Sequence, residues 1–322
     1  MPEPIILDDR AVAAWLPHRP VRGHKGSFGK LLIVAGSLDY LGAAFLVARA
    51  AGRAGVGLIR LAVPASLQPL VAGRVLEATT LGLPESAPGV VEPAAALERL
   101  ADLDHDAAAI GPGLRAGPAT VDLVRRYLGA ARPGGPASVD AEALNALAGL
   151  EAWPEGIARL CVLTPHAGEF ARLAAHVRVP GAEAADLVTD DAARAEVTRS
   201  AAAAFGQVVL LKGARTVIAE PDGRVACLPF ENPALATGGT GDVLTGTIGA
   251  LLAQGLEPFE AACVGAYLHG AAGEAIRDRF GDAGLLASDL PDEIARARRR
   301  LAALAPAAGG RRLGFSLPEP AG

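Results

Sequence analysis

Lysine is nearly absent from this 322-residue chain: it stands only at positions 25, 30 and 212. Each of the three is therefore a position to examine. Cysteine is almost as scarce. Cys161, Cys227 and Cys263 show no CxxC spacing, which disfavours a zinc site and suits a reducing compartment. An excess of positive charge is also missing. The formal net charge of −5 argues against nucleic acid or an anionic membrane as the main partner. Small anionic ligands stay open, because backbone amides and a single lysine can hold a phosphate without help from net charge. Long apolar runs are lacking too: Leu41 to Ala51 is already broken by Arg49, short of membrane-spanning length. The first residues, Met1 to Asp9, carry no basic region followed by an apolar stretch, so no signal peptide is visible. A soluble, cytoplasmic protein is expected.

Apolar residues are plentiful. They make up 51% of the chain against 20% charged, which excludes a wholly disordered chain and supplies a sizeable core. After a polar, Pro- and Gly-rich lead over residues 1–29, Lys30 to Ala35 is a continuous apolar run ending in Gly36-Ser37. Such a run suits a parallel strand buried on both faces. A small-residue helix over 42–54 follows, then a strand over 58–63 stopped by Pro64. The alternation continues with strands at 107–110, 137–139 and 160–163 and helices at 119–128, 143–148 and 169–175. Alternating elements predict a mainly parallel sheet between two helical layers. From Gln207 the texture changes: 208–211, 216–219 and 224–228 lie close together, with a turn at Pro221-Asp-Gly223, and read as an antiparallel edge. Helices at 243–253, 258–279 and 288–304 complete one domain over 1–305, and the Gly-, Pro- and Ala-rich tail, 306–322, reads as disordered.

The sharpest local feature is Ala236-Thr-Gly-Gly-Thr-Gly-Asp242 before an apolar helix. A glycine-rich loop at a helix N-terminus gathers N–H groups and the positive dipole end on one point, which suits a phosphoryl group carrying charge. A carboxylate there is repelled by bound phosphate, so its proton affinity rises, as a base for a hydroxyl proton requires. The plainer reading of Asp242 is a helix N-cap. Lys212-Gly-Ala-Arg-Thr216 follows an apolar strand, where a lysine faces a ligand crevice or, more simply, solvent. In Thr164-Pro-His-Ala-Gly-Glu169, His166 is a candidate substrate contact, and Glu169 a helix cap or the holder of a hydrated magnesium ion; the spacing is too weak to assign a metal. Ile110-Gly-Pro-Gly-Leu-Arg-Ala116 fits a loose dinucleotide-binding pattern, but the acid it needs comes late, at Asp140, so it reads as a tight turn beside a ligand. The run His24 to Leu31 lacks the first glycine and the Ser/Thr of a P-loop and is rejected as one.

Together these segments resemble the ADP/ATP-dependent NAD(P)H-hydrate dehydratase family, of ribokinase-like fold. The stretches that carry the resemblance are His24-Lys-Gly-Ser-Phe-Gly, Val34-Ala-Gly-Ser, Gly42-Ala-Ala, Ile110-Gly-Pro-Gly-Leu, Asp140-Ala-Glu-Ala-Leu-Asn, Leu163-Thr-Pro-His-Ala-Gly-Glu-Phe, Leu211-Lys-Gly-Ala-Arg-Thr, Asn232-Pro-Ala-Leu-Ala-Thr-Gly-Gly-Thr-Gly-Asp and Tyr267-Leu-His-Gly. They keep their order from about 20 to 290. The chain departs from the family pattern at Leu228 to Asn232, where a Thr-Gly pair is missing.

The resemblance implies an α/β, three-layer sandwich and a lyase that repairs NADHX and NADPHX. It implies that ADP phosphorylates the ring hydroxyl, with magnesium present, and that phosphate then leaves. Asp242 would be the base, and the amides of Gly239, Thr240 and Gly241 would hold the moving group. Ala43, Gly113, His166 and Asp242 would line the hydrate pocket; Lys212, Gly213, Ala214, Arg215, Thr216 and Gly241 would bind the nucleotide. No epimerase activity is expected, and a homo-oligomer, such as a tetramer, is. The alternatives are a small-molecule kinase of the same fold, acting on a vitamin precursor or a sugar, and a non-catalytic nucleotide-binding scaffold.

Overall fold

The computed structural model describes residues 3–130, 135–183 and 186–305; the expectation about the 306–322 tail lies outside them. Ten strands form one sheet. In chain order they are β1 (Ile5–Ile6), β2 (Lys30–Val34), β3 (Leu58–Pro64), β4 (Ala78–Leu83), β7 (Ala107–Ile110), β8 (Ala137–Val139), β9 (Cys161–Leu163), β10 (Val208–Leu211), β11 (Val217–Ala219) and β12 (Val225–Cys227). The short pair β5 (Glu85–Ala87) and β6 (Val90–Val91) forms a separate two-stranded sheet. The sheet order is β1-β12-β11-β10-β9-β8-β7-β2-β3-β4. Strand β11 is antiparallel to both of its neighbours, β10 and β12, as the hairpin texture predicts, and the remaining pairs of this sheet are parallel.

The helices are α1 (Asp9–Trp15), α2 (Leu41–Ala54), α3 (Gln68–Ala72), α4 (Pro93–Ala101), α5 (Pro118–Gly129), α6 (Glu142–Ala148), α7 (Ala167–Ala174), α8 (Asp191–Phe205), α9 (Thr240–Ala253), α10 (Pro258–Phe280) and α11 (Leu290–Ala302). They cover both faces of the sheet. Side chains alternate across a strand, so a buried run must feed two cores. Leu31 and Ile33 of β2 enter the core under α1, α2, α9, α10 and α11, whereas Leu32 and Val34 enter the core under α4 to α8. The ribokinase-like three-layer sandwich expected from the sequence is the observed architecture.

The lead over residues 1–29, in which the sequence showed no clear element, carries a short strand and a helix. Asp8 caps α1 by accepting the Ala11 N–H (2.7 Å), and β1 pairs in parallel with β12, adding a last strand beyond the antiparallel edge. A two-residue strand has no period to read, and its partner lies more than 200 residues away.

Candidate active site

Strands β8, β9 and β10 are parallel neighbours, so the residues just past their C-terminal ends share one rim of the sheet. That rim is where open α/β sheets bind ligands. Asp140 follows β8, Thr164 to Glu169 follows β9 into α7, and Lys212 follows β10. Lys212 Nζ lies 2.8 Å from Asp140 Oδ1 and 3.6 Å from Glu169 Oε2. The solvent-facing reading of this lysine is therefore wrong; its side chain is largely buried between two acids. Burial alone would push its pKa down, but the carboxylates of Asp140 and Glu169 outweigh that and hold it above the usual lysine value.

Helix α9 enters this rim from the other side. Gly239 is its N-cap, at φ +90°, a conformation that side chains with a Cβ rarely adopt. No side chain caps the helix. Among the described residues the N–H groups of Gly239, Gly241 and Asp242 have no hydrogen-bond partner. The Thr240 N–H does: it donates to the Thr237 carbonyl at 3.3 Å. Of the expected set Gly239, Thr240 and Gly241, the first and last amides are open and that of Thr240 is engaged in the turn; the Asp242 amide is open as well. The turn is fixed from behind. The Thr240 hydroxyl lies 2.9 Å from the carbonyls of Leu235 and Thr237, and His269 Nε2–H donates to the Thr240 carbonyl at 2.9 Å. Burial pushes His269 down to about 4, so it stays neutral near pH 7.

Asp242 is the third residue of α9, not its cap. Among the described residues its carboxylate makes no hydrogen bond and no ion pair. Burial first, then the negative charge of Asp140, push its pKa up to about 7, with Lys212 pulling the other way. A methyl group on Gly241 would sit 3.4 Å from Asp140 Oδ2 and 3.5 Å from Lys212 Nζ, so the glycine turn, the lysine and the two acids form one cluster.

The substrate-side candidates come together in part. Gly113, at φ +67°, abuts α2: a methyl there would lie 2.8 Å from Ala43 Cβ and 2.5 Å from the Tyr40 carbonyl. Leu46, one turn beyond Ala43 on α2, reaches the glycine turn, within 2.7 Å of where a Gly239 side chain would begin. His166 is used as a cap. Its Nδ1 accepts the N–H groups of Gly168 (3.0 Å) and Glu169 (3.3 Å), while Glu169 Oε2 accepts the His166 N–H (2.9 Å). This capping box bears out the plainer reading of Thr164 to Glu169. The ring is still half exposed and so available to a ligand.

The loop Lys212 to Thr216 divides its side chains. Lys212 turns inward. Arg215 turns outward, at φ +50°, to ion pairs with Glu231 (2.7 Å) and Asp191 (3.1 Å). The Thr216 hydroxyl donates to the Gly213 carbonyl (2.9 Å), and buried Arg194 on α8 donates to the carbonyls of Leu211 (3.3 Å) and Ala214. The departure at Leu228 to Asn232 keeps a structural link to this loop, because the Phe230 carbonyl accepts the Arg215 N–H at 2.8 Å. Sequence reasoning gave no role to Asp140, Thr245, Arg194 or His269. For Asp140 a signal existed: an acid directly after an apolar strand of an α/β sheet. The other three lie inside helices; His269 fell within the Tyr267-Leu-His-Gly stretch of the resemblance, and Thr245 and Arg194 carried no signal.

No described group of three or more His, Cys, Asp or Glu residues could hold a metal ion. Both Asp140 oxygens are taken, by Lys212 and by the Thr245 hydroxyl (2.8 Å), and Glu169 Oε2 is taken by its own helix turn. The described residues of this cluster therefore do not form a resident magnesium cage. No helix among the described residues is long and apolar enough to cross a membrane.

Comparison with known proteins shows the family. Residues 31–296 match the family described as NAD(P)H-hydrate dehydratase. The bifunctional NAD(P)H-hydrate repair enzyme of Moorella thermoacetica is 47% identical over 90% of this chain; the match covers 53% of that protein, so the chain spans about half the length of such relatives. The ADP-dependent (S)-NAD(P)H-hydrate dehydratase of Neisseria meningitidis serogroup B is 38% identical over 86% of each chain. The crystal structure of ADP/ATP-dependent NAD(P)H-hydrate dehydratase from Bacillus subtilis, co-crystallised with ATP and Mg2+, superposes with a TM-score of 0.76 and 34% identity, covering 92% of this chain and 98% of that one. With the family match running through every element of the site, the chain belongs to the NAD(P)H-hydrate dehydratase family.

Proposed function

We propose that this chain is an ADP-dependent dehydratase that returns NADHX and NADPHX to NADH and NADPH. The observation that carries the reading is Asp242: a half-buried carboxylate with no partner among the described residues, titrating near neutrality, in a helix turn with three open amides. A structural acid would be paired; an acid left like this is poised to take a proton. Hydroxide is a poor leaving group from the hydrated ring, and a phosphate ester is a far better one. Asp242 takes the ring-hydroxyl proton as the oxygen attacks the β-phosphorus of ADP, and the bond to AMP breaks. The amides of Gly239, Gly241 and Asp242 stabilise the charge on the phosphoryl group in flight. Phosphate then leaves with the C–O electron pair, the neighbouring carbon gives up a proton, and the double bond re-forms. Ala43, Gly113 and His166 bound the hydrate side, and Lys212 to Thr216 with Gly241 the nucleotide side.

Magnesium belongs to this reading as a companion of the nucleotide phosphates, the usual way this ion is held. The described protein donors do not make a site for it, and no step above runs through it. A cytoplasmic homo-oligomer also belongs to the reading.

The test is a grid of NADHX and NADPHX against ADP and ATP, with magnesium, on purified protein. Recovery of reduced-nicotinamide absorbance with AMP and phosphate as co-products is the expected result. A stable phosphorylated product would assign a kinase instead, and nucleotide binding with no turnover would assign a scaffold.

A further inference from the structure

The acid that the sequence left without a role occupies the centre of the cluster. Asp140 has 3% of its side chain exposed, and both its oxygens are held: Oδ1 by Lys212 Nζ at 2.8 Å and Oδ2 by the Thr245 hydroxyl at 2.8 Å. Thr245 is one turn along α9 from the glycine loop, and its hydroxyl also lies 3.0 Å from the Gly241 carbonyl. One carboxylate thus ties the end of β10 to the first turns of α9. Its own backbone is held as tightly. The Asp140 N–H donates to the Ile110 carbonyl (3.2 Å), and its carbonyl accepts the Ala143 N–H (3.1 Å). The next residue, Ala141, sits at φ +53°, ψ −121°, a region a residue with a Cβ rarely occupies. Strain of this kind persists only where the surroundings over-determine it, and it clusters at functional sites.

The charges around Asp242 are few. From the end of β8 comes Asp140; from the end of β10, Lys212; from α7, Glu169, 3.6 Å from that lysine; from α10, the neutral His269 on the Thr240 carbonyl. Asp140 and Glu169 therefore share one ammonium group, Asp140 being the nearer, and Asp242, with no ion pair of its own among the described residues, feels the charges of Asp140 and Lys212.

We propose that Asp140 is the positioning residue of the site: it fixes the Lys212 ammonium on one oxygen and α9 on the other, so that Lys212 cannot neutralise Asp242 and the base stays basic. The role rests on the function proposed above only for its catalytic meaning. In geometric terms Asp140 acts through Lys212 and Thr245 and need not touch a ligand.

The experiment compares Asp140→Asn and Lys212→Met with the full-length wild-type chain. The pH profile of kcat/KM reports the free enzyme's essential base. Asp140→Asn should move the acid limb about one pH unit lower, because a like charge goes and a lysine is released toward Asp242. Lys212→Met should move it higher. Unmoved limbs, or limbs moved in the same direction, would overturn the proposal. A second readout needs no turnover: the stability difference between each variant and its double with Asp242→Asn, followed from pH 4 to pH 8, titrates Asp242 itself. The same opposed displacements are expected there, and coincident curves would sink the idea even if both variants were inactive. A wild-type chain that dehydrates no hydrate would break the proposed function while leaving this titration to be read on its own.

Discussion

Helices α7 and α9 begin on the same rim of the sheet, yet their first turns are finished in opposite ways. At α7 the side chains of His166 and Glu169 close the turn on itself, each accepting backbone N–H groups of the other's end. At α9 a glycine stands where the cap would be, and the N–H groups of Gly239, Gly241 and Asp242 remain open. The same contrast holds for the acids. Glu169 is engaged by a backbone N–H and lies near Lys212, whereas Asp242 is half-buried and has no partner among the described residues. A helix end leaves four N–H groups to be satisfied by something. Where the protein satisfies them itself the end is structure; where it does not, and surrounds them with a raised carboxyl, the end awaits an anion.

The largest test of this contrast is Asp242→Asn. Loss of a general base costs about 10²- to 10⁴-fold in rate, so kcat should fall by that much while ADP binding, read by calorimetry, persists. Stability should move the other way. The folded-state pKa is raised from 3.8 to about 7, so the folded protein holds a proton that the unfolded chain has lost. Folding stability therefore falls as pH rises from about 4 through about 7, and above that the full cost is felt, about 4 kcal/mol. The amide removes it. The variant should melt a few degrees higher than wild type at pH 8 and no higher at pH 4. Equal melting temperatures at pH 8 would mean that the carboxylate has a partner after all.

The contrast between the two helix ends was only half legible in the sequence. The glycine run before Asp242 announced an open turn, and an acid four residues after a Thr-Pro pair announced a cap. The sheet was legible for a related reason: β2, β3, β7 and β10 are apolar runs bounded by Gly or Pro, and only a strand buried on both faces needs such a run. Elements without that signature were missed. Strand β4 (Ala78–Leu83) is half exposed and contains two threonines and a glycine, so neither alternation nor a run shows. Helix α8 is nearly half alanine and buries Arg194 and Thr198, which blurs its apolar face. Asp140 was seen but given no function, because its meaning lies in Lys212 and Thr245, 72 and 105 residues away. Short-range pattern cannot report a partner at that distance.

A smaller but still large effect is expected from Gly239→Ala. The new methyl would begin 2.7 Å from Leu46 Cδ1 and 3.1 Å from Ala287 Cβ, at a φ of +90°. The strain should cost roughly 1–3 kcal/mol of stability, read by denaturant melts. Relief of that strain would turn the amides away from the phosphoryl position, and losing one aligned donor costs about 10²-fold in kcat. A variant that loses stability but keeps its rate would show that the open amides do not face the reaction.

The mildest test falls on the closed end. His166→Ala removes the acceptor for two N–H groups of α7 and should lower stability by about 1 kcal/mol. His166→Asn retains a capping oxygen and should stay near wild type in a thermal melt. If the ring also borders the hydrate, both variants should raise KM for the hydrate by a similar factor, with kcat less affected, because neither replacement reproduces an imidazole edge. Cap and contact then separate cleanly: stability follows whether an acceptor remains, and KM follows whether the ring remains. Should KM instead track stability across the two variants, His166 is only a cap, and α7 contributes nothing to the site beyond holding Glu169 in place beside Lys212.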